Sequence, residues 1–270
     1  MADQLNSFSL TGVAAALAEA MGIPAPAQAN PANSQIVNLV KNGIDGGHVD
    51  RVFMYNPDAV AMWLYQKYTS LFDDVVKHTS LSVPLQTVMP SVTPVCFGTM
   101  YTGAFPEVHG IRKYEKPVIR IDTLFDALIR AGRKPVIVGD PQCSLSNIFL
   151  ERDMDYFTDD TIEGINQKAM ELIEEDKYDF YVIYNGNYDG IMHKFGPESD
   201  EAMTQLKDNV AAFDRFVTAL KQKWTNHNTL FAFAMDHGCH EIDGGCGSHG
   251  LDMPEDLNIL HHYGLISRSR

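Results

Sequence analysis

Basic residues are scarce. The 270 residues include 21 Lys and Arg against 35 Asp and Glu, a formal net charge of −14 at pH 7, and the cations are not clustered. That excludes a binder of nucleic-acid backbones, which needs grouped Lys and Arg. Cysteine is scarce as well: Cys96, Cys143, Cys239 and Cys246 form no CxxC pair. Reduced thiols, rather than a disulfide scaffold or a structural zinc framework, are therefore expected, and with them a cytoplasmic location. Long apolar runs are missing, so no membrane span is expected. The N-terminus carries Asp3 where an export signal wants positive charge, and its apolar run ends by Gly22 without an export pattern. Internal repeats are absent too. What is present is ordinary for a globular chain: 45% of residues are apolar, enough for a full core in one large α/β domain or two small ones. The surplus of carboxylates suits a cation site.

Residues 9–21 read as a helix, and the proline-rich connection 24–31 follows. Residues 1–49 are taken as an N-terminal helical arm and linker, and residues 50–270 as the main domain. In the latter, short apolar runs at 51–56, 134–139, 179–185 and 229–235 look like strands buried on both faces. Helical patterns at 59–78, 122–131, 161–175 and 200–224 alternate with them. Such alternation predicts an α/β fold with a mainly parallel central sheet flanked by helices.

In sheets of this kind ligands gather past the carboxyl ends of strands. The first run is followed by Asp58, the third by Asp189 and His193, the fourth by Asp236 and His237. His249 sits in the stretch 247–250, which reads as a loop too rich in glycine for a strand or helix. Asp and His without thiolate suit zinc, manganese or iron better than calcium. Plainer roles exist for each: Asp58 and Asp189 as helix caps, and Asp189 with His193 as a surface pair at i, i+4.

The stretch 89–111 joins these in importance. Thr93 precedes Pro94, a helical run over 95–101 and the stop Thr102-Gly103, so Thr93 reads as an N-cap. A hydroxyl there lies among unpaired N–H groups where a phosphoryl group would be held, although simple capping is the blander role.

Thr93, Thr102-Gly103, Pro106-Glu107, His109-Gly110-Ile111, Asp189 with 193–197, Asp236-His237-Gly238 and His249-Gly250 together resemble the type I phosphodiesterase/nucleotide pyrophosphatase family of the alkaline phosphatase superfamily. The resemblance runs from about residue 51 to 264 in the family's motif order. It implies two divalent metal ions, zinc by family habit, one held by Asp189, His193 and His249 and the other by Asp58, Asp236 and His237. Thr93 would lie between them as the metal-activated nucleophile, passing through a phosphothreonine. A small phosphate- or phosphonate-containing substrate is implied, with phosphonate hydrolysis, phosphoryl transfer or metal binding without turnover as alternatives. Three positions depart from the family pattern. Cys96 replaces an Asn that binds a phosphoryl oxygen, so Cys96→Asn is expected to raise turnover of diesters; Met192 and Ala59 replace glycines. His109 is expected to orient the turn after the nucleophile helix, and residues 142–158 to wall the substrate.

Overall fold

The computed structural model describes residues 4–269; Asp3 lies outside them. In chain order the first elements are strand β1 (Phe8–Ser9), helices α1 (Gly12–Ala20) and α2 (Ser34–Gly43), and strand β2 (Arg51–Pro57). Helix α3 (Met62–Lys67), a 3-10 turn and helix α4 (Asp73–Val76) lead to strand β3 (Leu81–Gln86). Next come helices α5 (Thr93–Thr102), α6 (Pro106–His109) and α7 (Leu124–Arg130), then strand β4 (Pro135–Gly139), helix α8 (Ser144–Ile148) and strand β5 (Asp155–Thr158). Helix α9 (Ile162–Glu175), strand β6 (Phe180–Asn185), helices α10 (Asn187–Phe195) and α11 (Asp200–Lys223) and strand β7 (Thr229–Phe233) follow. The chain finishes with the hairpin β8 (His240–Ile242) and β9 (Cys246–Ser248), helix α12 (Pro254–Leu257) and strand β10 (Asn258–Ile266).

Eight strands form one sheet in the order β1-β3-β10-β7-β2-β6-β4-β5. All neighbours are parallel except the two pairs made by β10. Strands β4, β6 and β7 are buried throughout, and β2 at every position after Arg51. Their continuous apolar runs follow from that, since helices cover both faces of a parallel sheet. The helices contact one another in two groups, α4, α9, α10 and α11 in one and α1, α2, α5, α6, α7 and α8 in the other. Register puts Pro57 of β2 beside Asn185 of β6, and Tyr55 beside Phe233 of β7. The carboxyl ends of β7, β2 and β6 are thereby neighbours at the centre of the sheet, and the segments that leave them share one edge.

Several elements differ from the sequence reading. The helix expected over 59–78 is broken, because Ala59 adopts a left-handed φ of 60° and the Thr69 hydroxyl donates back to the Tyr65 carbonyl at 2.9 Å, a bond that competes with the helix ladder. Strands β3 and β10 had no expectation. Pro84 interrupts the apolar pattern of the first, and His261, His262 and Gly264 that of the second. Those two histidines are nevertheless wholly buried, and burial lowers each to about 4, so they behave as neutral core residues. The stretch 247–250, expected to be irregular, begins in β9, which pairs with β8. The first segment of the chain does not stand apart: β1 pairs with β3, and α1 is buried at every position from Gly12 to Ala18.

Candidate metal centre

Asp58 follows β2 directly, Asp236 and His237 lie just beyond β7, and Asp189 and His193 are one turn apart on α10, which starts two residues after β6. His249 immediately follows β9. The structure brings these six into two groups, Asp58 with Asp236 and His237, and Asp189 with His193 and His249; within each, the ligand atoms lie within 4.8 Å of one another. The first trio is buried. The second is more open, with the His193 side chain 40% exposed. Ring centroids of His237 and His249 lie 4.2 Å apart, which joins the groups into one centre.

Each histidine is held in one tautomer. Nδ1 of His237 faces the Gly238 carbonyl at 2.9 Å, that of His193 the Gly247 carbonyl at 3.0 Å, and that of His249 the Ser91 carbonyl at 3.0 Å. A carbonyl only accepts, so Nδ1 carries a proton and Nε2 is the nitrogen turned to the centre, where its lone pair would meet a cation. These Nε2 atoms converge on carboxylates: His193 and His249 each lie 3.3 Å from Asp189 Oδ1, and His237 lies 3.3 Å from both Asp58 Oδ1 and Asp236 Oδ2. The Nε2 atoms of His193 and His249 are 3.1 Å apart. Asp58 Oδ1, Asp189 Oδ1 and Asp236 Oδ2 are buried without a hydrogen-bond partner. Buried carboxylate oxygens left without a hydrogen-bond partner are a costly arrangement unless a cation lies among them. The residues present therefore fit divalent ions, and the N/O donor set fits zinc.

Electrostatics agree. Burial, then repulsion from Asp189, raises the Asp58 carboxyl above its usual range, and burial with the Asp58 charge raises Asp236. For Asp189 burial acts upward, but His193 and His249 outweigh it and hold the carboxyl low. Asp189 in turn pushes His193 up to about 9. A cation would relieve the first two by neutralising crowded negative charge.

Thr93 departs from its expected role. It is the first residue of α5, the cap position is Val92, and no side-chain cap bond is made. Its hydroxyl instead lies 3.4 Å from Asp58 Oδ2 and 3.3 Å from His237 Nε2, across the centre rather than along the helix. Neither does Asp58 cap a helix, since α3 starts at Met62 after Ala61.

Cys96 is fully buried within α5, its thiol raised by burial and by the charge of Asp236. That placement favours a buried filler over a group facing the substrate. Met192 is buried under the hairpin, and a Cβ on Gly247 would come within 2.5 Å of its sulfur; the side chain fills the space beneath the strand that leads to His249. His109 is buried and donates from Nε2 to Thr99, while its Nδ1 accepts from the Ile111 N–H at 3.3 Å. It thus ties the turn after α5 to that helix. In the wall expected at 142–158, Ser144 begins α8 opposite Tyr114, a ring that is 61% exposed. Burial first, then the charges of Asp58 and Asp189, raises the Tyr114 phenol.

Two supporting residues carried no signal in the sequence. Tyr184, at the end of β6, donates to Asp58 Oδ2. Asp256 accepts from the Leu251 N–H at 2.8 Å and pairs with His240 at 2.7 Å, bracing the segment after His249. Only its place at the carboxyl end of a strand could have singled out the first.

Residues 55–117 and 136–260 match the family described as type I phosphodiesterase / nucleotide pyrophosphatase. No curated protein matches the chain in sequence. Among solved structures it is similar to murine ectonucleotide pyrophosphatase/phosphodiesterase 5, with 18% identity and a TM-score of 0.57 over 72% of this chain and 58% of that one. The same murine protein, as an inactive threonine-to-alanine variant in complex with AMP, gives the same score and identity over 72% of this chain and 59% of that one. The human counterpart gives 0.58 and 18% over 72% and 58%. At this identity the likeness is one of fold, and the chain spans less than two thirds of those structures.

Proposed function

The chain belongs to the type I phosphodiesterase/nucleotide pyrophosphatase family, and from that premise we propose that it is a two-metal hydrolase of small phosphate esters, diesters or nucleotide pyrophosphates foremost, with Thr93 as nucleophile. Asp58, Asp236 and His237 hold one divalent cation, Asp189, His193 and His249 the other, and zinc suits both donor sets. When bound, the cations supply Lewis-acid stabilisation of the attacking and leaving oxygens. The remaining work belongs to the chain. Thr93 Oγ attacks phosphorus, an Oγ–P bond forms as the ester P–O bond breaks, and the alcohol departs; water then cleaves the phosphothreonine and restores the hydroxyl. Asp58 Oδ2 is the carboxylate oxygen facing the Thr93 proton. Thr93 is buried, which limits the access of water to its hydroxyl.

One observation carries this reading: the Thr93 hydroxyl forgoes its helix cap and sits between a carboxylate and an imidazole of the buried trio. A hydroxyl is a weak nucleophile unless so placed. The test is turnover of an aryl phosphodiester, an aryl phosphomonoester and a phosphonate by the zinc-loaded protein and by Thr93→Ala. We expect diester hydrolysis to fall by about 10³-fold or more in the variant, the scale on which removing a nucleophile acts, with zinc content unchanged. Wild-type turnover by Thr93→Ala would remove Thr93 from the chemistry. Turnover confined to the phosphonate would reassign the reaction.

A further inference from the structure

We propose that Tyr184, seated in a space that Gly186 leaves open, is a positioning residue that fixes which oxygen of Asp58 faces the buried cation. The inference rests on the reading that Asp58, Asp236 and His237 hold that cation. Each member of the trio needs an outer partner, because a carboxylate turns freely about its last torsion, whose distribution is broad and two-fold, and because such partners set ligand orientation. Asp236 has one: its Oδ1 accepts from the Ala59 N–H at 3.3 Å, which leaves Oδ2 bare. His237 has one in the Gly238 carbonyl. For Asp58 the partner is Tyr184, whose phenol donates to Oδ2. Thr93 approaches the same oxygen at 3.4 Å, and Oδ1 is left buried, unpartnered and 3.3 Å from His237 Nε2. Of the three outer partners only Tyr184 is a side chain. Two are backbone groups fixed by the fold.

The surroundings hold the ring in that pose. Tyr184 is 7% exposed, and the Phe97 ring meets it edge-on at 5.7 Å. On its other side a Cβ at Gly186 would lie 2.7 Å from the Tyr184 hydroxyl and 3.2 Å from two ring carbons; the three atoms nearest to it all belong to Tyr184. Gly186 has φ −97° and ψ 11°, a conformation open to other residues. Glycine is thus required there for space and not for backbone freedom. Tyr184 and Thr93 thus meet on the same carboxylate oxygen, Oδ2.

The experiment measures Zn²⁺ affinity by competition with a chromophoric chelator, using the full chain with His193→Ala so that the open trio is incomplete and the buried one is read alone. Tyr184→Phe keeps the ring and removes the donor, and Gly186→Ala leaves the donor but displaces the ring. Both are expected to weaken Zn²⁺ binding by about 10–100-fold, the usual effect of losing an outer-shell partner, while cooperative unfolding of the metal-free protein persists. Unchanged affinity in Tyr184→Phe overturns the inference and leaves the proposed function standing. Failure of the His193→Ala parent to bind Zn²⁺ overturns the buried metal site, and the inference with it. Should Tyr184→Phe not fold, Gly186→Ala decides alone, and unchanged affinity there overturns the proposal.

Discussion

At the scale of single residues, the centre is built from side chains that give up their commonest roles. Thr93 opens a helix without capping it, Asp58 precedes a helix without capping it, and Tyr184 gives its hydroxyl to the Asp58 carboxylate instead of solvent. Cys96 does the reverse and takes the plainest role available, that of a buried filler. Its replacement is therefore expected to act on stability and not on catalysis. Cys96→Asn would bury an amide with donors and acceptors to satisfy, at a cost of about 1–3 kcal/mol if they stay unpaired. Chemical denaturation should show a lower midpoint, and kcat/KM on diesters should not rise. A gain in kcat/KM at wild-type stability would restore Cys96 to the substrate site.

At the scale of elements, the β8–β9 hairpin governs the open trio. It ends at Ser248, so its position sets that of His249, and the Gly247 carbonyl fixes the tautomer of His193. Helix α10 carries Met192 against the hairpin's inner side: a Cβ at Gly247 would fall 2.5 Å from the Met192 sulfur and 2.6 Å from its carbonyl oxygen. A flexible thioether yields, but a backbone oxygen in a helix does not. Gly247→Ala is therefore expected to lift the hairpin, move His249 and the His193 partner together, and cost one of two bound Zn²⁺ ions by elemental analysis while the protein stays folded. Two ions retained at wild-type affinity would show that the hairpin adjusts without moving its ligand.

At the scale of the whole molecule, stability is expected to depend on both pH and metal. His261 and His262 lie in β10, between β3 and β7 inside the sheet, with the imidazole Nε2–H of His261 donating to the Met235 carbonyl at 2.6 Å. Burial lowers both from 6.5 to about 4. Between those values the unfolded chain binds protons that the folded chain refuses, so stability rises with pH across the window and is lost as pH falls from about 6.5 to about 4. The loss is on the order of 3 kcal/mol per histidine at the lower end. Thermal unfolding of the metal-free protein should show it as a Tm that falls steeply below pH 6, and His262→Phe should flatten the slope. Metal acts through the same equilibrium: an ion bound only by the folded chain at a hundred times its Kd adds about 2.7 kcal/mol. Stripping with a chelator should lower Tm at constant pH, and Zn²⁺ should restore it. A chelator-insensitive Tm would count against both sites.

Much of this was legible in the residues alone. Parallel strands buried on two faces must be apolar along their length, so four of the eight strands and their carboxyl ends could be read from runs of Val, Ile, Phe and Tyr, and Asp58, Asp189, His193, Asp236 and His237 stood out just past three of them. His249 stood out in a glycine-rich stretch and Thr93 ahead of Pro94, and the motif order joined them to the others. Other features depend on contacts between residues far apart in sequence, and no local pattern reports those. Strand β10 hides two buried histidines that only a surrounding core keeps neutral, and β3 runs through Pro84, whose residue-level signal opposes a strand. The hydroxyl of Thr93 had two competing partners, its own helix and a site 35 residues upstream and 144 downstream, and only the tertiary structure decided between them. Tyr184 and Gly186 belong with these. Their meaning is a hydrogen bond across 126 residues and a space left beside one ring, and both exist only once β2 and β6 lie side by side.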